Sequence, residues 1–408
     1  MRYQTETLPS GLRVIHLPSS SPVVYCGYQI AAGSRHEEPG EEGLAHFCEH
    51  MTFKGTRRRN TLQVINALER LGGELNAYTN KESTVFYAAV TKEHLRVAVD
   101  LLTDIVFHST YPQTEIAHEV EVVCDEIESY NDSPAELIYD DFENLLFDGH
   151  PLGHNILGTV ERLRSYTSAD VQRFTQRHYC PDNAVFFAYG DVDFHRLLKM
   201  LDDEQAGEGS RHVATGHKEL SSLQPSEGPI VRKKGTHQAH VMIGTRAYGA
   251  HHERRMALYL LNNLLGGPSM NARLNLSLRE RNGLVYTVES SMVIYGETGV
   301  WCVYFGCDPH DVSRCRRLVR RELDKLMTRP LTKTALAAAK QQLKGQIAIA
   351  CDNREQFALD FGKVFLFDGK ERYLDDLFSK IDAITAEEVQ QVACELFPQE
   401  RLMTLVYQ

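Results

Sequence analysis

Apolar and β-branched residues crowd into two short runs within Leu12 to Gly33, LRVIHLPSSSPVVYCGYQIAAG, on either side of Ser19, Ser20, Ser21 and Pro22. This pattern predicts two strands joined by a polar turn. A charged loop follows from Arg35 to Glu42, and from about Gly43 the apolar spacing becomes helical. Thr61 to Leu71, TLQVINALERL, keeps that spacing and stops at Gly72 and Gly73, a suitable helix end. Glu74 to Ala89 predicts an extended hairpin, with ELNAYTNKE leading into STVFYAA. Glu93 to Phe107 and Gln113 to Tyr130 predict two amphipathic helices, the second closed by Asn131 to Pro134. Shorter helical patterns cover Leu137 to Phe147, Val160 to Arg164 and Thr167 to His178, and Ala184 to Tyr189 predicts a strand.

Periodicity then lapses. Asp202 to Pro229 is rich in Gly, Ser, Glu, His and Pro, which suits a linker. It resumes with a strand at His240 to Tyr248 and a helix over Glu253 to Leu265 that ends at Gly266 and Gly267. The expected organisation is a first half over residues 1–205, a linker over 206–228 and a second half over 229–408. The halves echo each other. TSADVQ at Thr167 to Gln172 returns as TAEEVQ at Thr385 to Gln390, each a Thr N-cap with an acid three residues on and a final strand beyond. RLGGELNAYT at Arg70 to Thr79 is faintly matched by RERNGLVYT at Arg279 to Thr287. Matching order in both halves predicts an internal duplication.

Composition narrows the class. A chain of 408 residues exceeds one ordinary core, and 42% hydrophobic with 24% charged residues is ordinary for a soluble globular protein. The formal charge of −11 disfavours nucleic acid as a partner, because phosphate binding needs a basic face. The nine cysteines are odd in number and lack C-x-x-C spacing, so neither a disulfide framework nor a cysteine-rich zinc site is expected, and a reducing compartment fits. MRYQTETLPSGLRVIHL has no signal-peptide core, and no run reaches the roughly 18 apolar residues of a membrane span. The expected location is the cytoplasm, with no membrane partner.

The chemistry is concentrated in Gly43 to Thr56, GLAHFCEHMTFKGT. His46, Glu49 and His50 fall at i, i+3 and i+4, on one face of a helix. Two imidazoles one turn apart can hold one metal ion, and the glutamate beside them can reach a water on it. This H-x-x-E-H order is the inverted form of the zincin motif. A catalytic zinc uses three protein ligands and keeps one position open. Glu119 and Glu126 share one face of the helix over Gln113 to Tyr130, and either suits as the third ligand.

HFCEHMTFKGT, the downstream glutamate helix, DSPAELIYDDF and FDGHPLGHNILGT resemble the pitrilysin, insulysin and mitochondrial processing peptidase family of zinc endopeptidases. The resemblance covers nearly the whole chain. It implies an α+β fold of two homologous halves, each a mostly antiparallel sheet flanked by helices, forming a clamshell around a catalytic chamber. The family's spacing places the third ligand at Glu126, with Glu119 as a supporting acid two turns earlier. One Zn2+ per chain would then lie on His46, His50 and Glu126, with Glu49 as general base. The resemblance also implies that peptide substrate adds as a strand along Asn76, Ala77, Tyr78 and Thr79. It matches the family's substrate-closing pair to Arg279 and Tyr286, although Pro268 and Ser269 replace its usual triple-glycine turn. The implied activity is endoproteolysis of unfolded peptides. A processing peptidase for one precursor and a noncatalytic subunit are the alternatives. Because both halves carry their motifs, the chain is expected to work as a monomer, a homodimer or beside a related partner subunit.

Overall fold

Two sheets organise the chain, whose computed structural model describes residues 2–205, 220–221 and 228–408. The first sheet contains β1 (Gln4–Thr7), β2 (Arg13–Pro18), β3 (Val23–Ile30), β4 (Glu74–Thr79), β5 (Thr84–Thr91) and β6 (Ala184–Gly190), in the order β1-β2-β6-β3-β5-β4. The second contains β7 (Ile230–Arg232), β8 (Ala239–Tyr248), β9 (Val285–Ile294), β10 (Thr298–Cys307) and β11 (Met403–Tyr407), in the order β7-β11-β8-β10-β9. With β1 set aside, both sheets run first-fifth-second-fourth-third in chain order. In both, the first and fifth strands are parallel and the other neighbours antiparallel. The duplication expected from the repeated capping motif is therefore present as repeated topology. Both Thr caps also form, with Thr167 N donating to Asp170 Oδ2 at 2.9 Å and Thr385 N to Glu388 Oε2 at 2.7 Å.

Successive strand residues point to opposite faces, and in the first sheet both faces are apolar. Val14 and Phe186 enter a core with Leu44, Phe47, Leu101 and Leu102 from the helices Leu44–Thr52 and Leu95–His108. Their neighbours Ile15 and Phe187 enter another, with Leu359 and Phe361 from the helix Arg354–Asp368. Gln29 Nε2 donates to Leu359 O at 2.8 Å, and Arg13 donates to Leu366 O at 3.1 Å. Gly362 permits this approach, since a Cβ there would lie 3.0 Å from Gln29 Nε2 and 3.2 Å from Phe187 Cβ.

The second sheet is covered in the complementary way. The helix Pro134–Leu146 lays Leu137, Ile138 and Phe142 on Met242, Tyr304, Leu405 and Tyr407. Arg246 Nε donates to Leu146 O at 2.6 Å, and Asp141 is held by Arg232 and Tyr407. One packing unit thus comprises the chain up to Ser129, a segment from His154 and Ala350–Arg372. The other comprises Tyr130–Gly153, a segment up to Ile349 and Tyr373–Gln408. The halves 1–205 and 229–408 read from the sequence are not these units, because each sheet has a second apolar face that a segment of the other half covers. Most of the expected linker lies outside the described residues, and Asp202 to Gln205 of the linker-like stretch belong to the helix Phe194–Gln205. Among the described residues no helix is long and apolar enough to cross a membrane.

Candidate metal centre and peptide edge

The motif helix Leu44–Thr52 is fixed before its functional face is considered. Leu44, Phe47, Cys48 and Met51 are fully buried on one side. Gly43, at φ +92°, begins the helix where a Cβ would come within 2.7 Å of Leu157 O. No N-cap side chain serves this end. Instead the buried Glu37 carboxylate accepts from Gly43 N at 3.1 Å and Ala45 N at 2.8 Å, and His154 Nε2 lies 2.8 Å from it. An anion at a helix N-terminus satisfies open donors and the helix dipole together.

With the apolar side locked, His46, Glu49 and His50 share the other face, and the two imidazole centroids are 4.6 Å apart. The helix Gln113–Asn131 faces them. Glu126 Oε1 is 3.8 Å from His46 Nε2, and Glu126 Oε2 is 3.5 Å from His50 Nε2. Ligand atoms of these three residues all lie within 4.8 Å of one another. Tetrahedral zinc with bonds of about 2.0–2.1 Å separates its ligands by about 3.3 Å, so two nitrogens and a carboxylate oxygen fit with a small contraction. Glu119 lies elsewhere. Its buried carboxylate accepts from His50 Nδ1 at 2.9 Å and is paired with Lys54 on its other oxygen. This bond fixes the tautomer of His50 and leaves Nε2 as the electron-pair donor.

The electrostatics follow from burial and neighbours. Burial, and then the charge of His50, push His46 down to about 3, so it is a neutral donor near neutrality. Burial would also lower His50, but the Glu119 bond and the surrounding carboxylates outweigh it and raise the value. Burial would raise Glu119, yet the bonds from His50 and Lys54 hold it below the usual carboxylate range. Glu49 is raised by burial, against a hydrogen bond from Thr79 and attraction to His50. A carboxylate of raised basicity beside three groups able to ligate a metal suits proton transfer.

Asn76, Ala77 and Tyr78 lie on β4, which pairs with β5 on one side and is the last strand of its sheet. Asn76 is exposed and Tyr78 is half-buried, its ring edge-on to Tyr87. Arg279 and Tyr286 belong to the second unit. Arg279 sits in a π-helical turn, Asn275–Glu280, and Tyr286 sits near the start of β9. The guanidinium lies 5.4 Å from the Tyr286 ring centroid, and Tyr286 is 79% exposed. An aromatic ring this exposed contributes little to the core and is available to a ligand. The structure thus brings His46, His50, Glu126, Glu49 and Glu119 together, sets β4 beside them through Thr79, and joins Arg279 to Tyr286. Sequence reasoning missed Lys54, although it stands four residues after His50 on the motif stretch. It also missed Glu37, whose contact with the helix start depends on the path of the loop.

Residues 13–160 match the family described as insulinase (peptidase family M16), and residues 165–343 match its companion, described as the peptidase M16 inactive domain. The chain belongs to this family of peptidases. An uncharacterized zinc protease of Bacillus subtilis is 33% identical over 402 residues, 98% of this chain and 97% of that protein. The bovine mitochondrial-processing peptidase subunit beta is 31% identical over 396 residues, 94% of this chain and 80% of that one. A protease from Helicobacter pylori shares the fold, with a TM-score of 0.90 at 22% identity over 100% of this chain and 99% of that one.

Proposed function

We propose that the chain is a zinc-dependent endopeptidase of unfolded peptides, holding one Zn2+ on His46, His50 and Glu126. The convergence of these three donors beside Glu49 carries the reading. Zinc, when bound, supplies a Lewis acid and a water whose pKa is near 7. Glu49 takes the proton of the attacking water and returns it to the leaving amine. Glu119, itself held by Lys54, keeps His50 in the donating tautomer. The peptide joins β4 along Asn76, Ala77 and Tyr78, where main-chain hydrogen bonds give affinity without demanding a sequence. Arg279 binds a substrate carbonyl, and the Tyr286 hydroxyl donates to the developing oxyanion.

The test separates metal binding from chemistry. Glu49→Gln is expected to retain zinc by elemental analysis and to lose peptide hydrolysis by about 100-fold or more. Equal cleavage by variant and wild type would overturn the assignment. A second reading, processing of one precursor beside a related subunit, draws on the likeness to the mitochondrial-processing peptidase subunit. Mass-spectrometric mapping of cuts in an unbiased peptide mixture distinguishes the two: many unrelated cuts support general degradation, and a single motif supports processing.

A further inference from the structure

Thr79 is the last residue of β4 and pairs with Thr84 on β5. Its Oγ1 donates to Glu49 Oε2 at 2.7 Å. The hydroxyl has one proton to give. The neighbouring Thr84 hydroxyl spends its own on Ala32 O at 2.9 Å, and its oxygen lies 3.4 Å from that of Thr79. The Thr84 oxygen could accept from Thr79, but Glu49 Oε2 is the nearer and stronger acceptor, so the Thr79 proton goes to the carboxylate. One oxygen of Glu49 is held and the other, Oε1, has no hydrogen-bond partner among the described residues. Threonine is stiff about χ1, so the direction of this bond follows the backbone of the strand end.

We propose that Thr79 is a positioning residue that couples the seating of a peptide on β4 to the aim of the Glu49 carboxylate. The proposal rests on Glu49 as general base and β4 as the peptide edge. A strand pairing with residues 76–78 immobilises the backbone just before Thr79. Through a single stiff side chain this fixes Oε2 and leaves Oε1 directed at the attacking water. The bond already stands without a peptide, and a substrate in register on β4 restrains it further. Proximity alone does not require this bond, but alignment of a general base does.

The test uses the zinc-loaded full chain and three variants. Thr79→Val keeps the branched shape and removes the hydroxyl. It is expected to lower kcat about tenfold while KM, zinc content and melting temperature stay near wild type. Thr79→Ser restores the donor on a less rigid stem and is expected to recover most of kcat. In a Glu49→Gln background, Thr79→Val is expected to change residual activity by less than twofold, since the group it aims is already disabled. Wild-type kcat in Thr79→Val, or a loss of zinc or melting temperature that accounts for the lost activity, would overturn the proposal, as would a failure of Thr79→Ser to recover. Failure of the underlying reading looks different, because Glu49→Gln would then cleave peptides as well as wild type.

Discussion

Glu119 and Glu126 are the same residue type on one helix, two turns apart, and their surroundings differ. Glu126 reaches both imidazole Nε2 atoms with an exposed carboxylate, while Glu119 is buried against His50 Nδ1 and Lys54. Removing Glu119 frees the His50 ring and leaves the Lys54 charge half-buried without its partner. Glu119→Ala is expected to weaken zinc binding about 10- to 100-fold, read by competition with a chromophoric chelator. His46, Glu49 and His50 were legible in the sequence because a helical repeat is a local property. The choice between Glu119 and Glu126 was not legible from the repeat, which puts both on one face. The resemblance chose Glu126, and the structure supplies the physical difference. The Thr79 bond had no local signal, since it joins a strand end to a helix thirty residues earlier in the chain.

At the level of elements, most boundaries followed from periodicity and caps. The helix expected over Thr61 to Leu71 occupies Thr61–Glu69 with a capping box from Asn60 and Gln63, and the expected hairpin forms as β4 and β5. The position of β4 as an edge was not visible, because the pattern of one strand does not name its neighbours. That edge makes a specific expectation. A peptide bound by its main chain should tolerate changed side chains better than blocked amides. N-methylating two backbone amides of a good substrate that pair with β4 is expected to cost about 2 kcal/mol, roughly 30-fold in KM by steady-state kinetics. Swapping the side chains at the same positions should change KM less. In the second unit the Ser290 hydroxyl on β9 donates to Asn262 on the helix Arg255–Gly266, so a hydroxyl link between a helix and an edge strand is present there as well, where no H-x-x-E-H motif stands.

Across the molecule, the amphipathic pattern of Leu137 to Phe147 announced a buried face but not which sheet would bury it. The exchanged helices answer that, and they make distant parts of the chain matter to the first unit. Phe361 is fully buried against Phe187 and Tyr3, more than 300 residues from the motif helix. Phe361→Ala is expected to cost about 3–5 kcal/mol, lowering the urea midpoint of the protein without altering any residue of the candidate metal centre. The same exchange has a consequence for synthesis. All six strands of the first sheet have been synthesised once Gly190 is added, yet the helix that covers Ile15, Val185 and Phe187 ends only at Asp368. At about 5–20 residues per second, that face waits for roughly ten to forty seconds with nothing of its own chain to cover it. During that interval the nascent chain presents an apolar sheet to the cell, and chaperone capture of ribosome-bound chains should peak there.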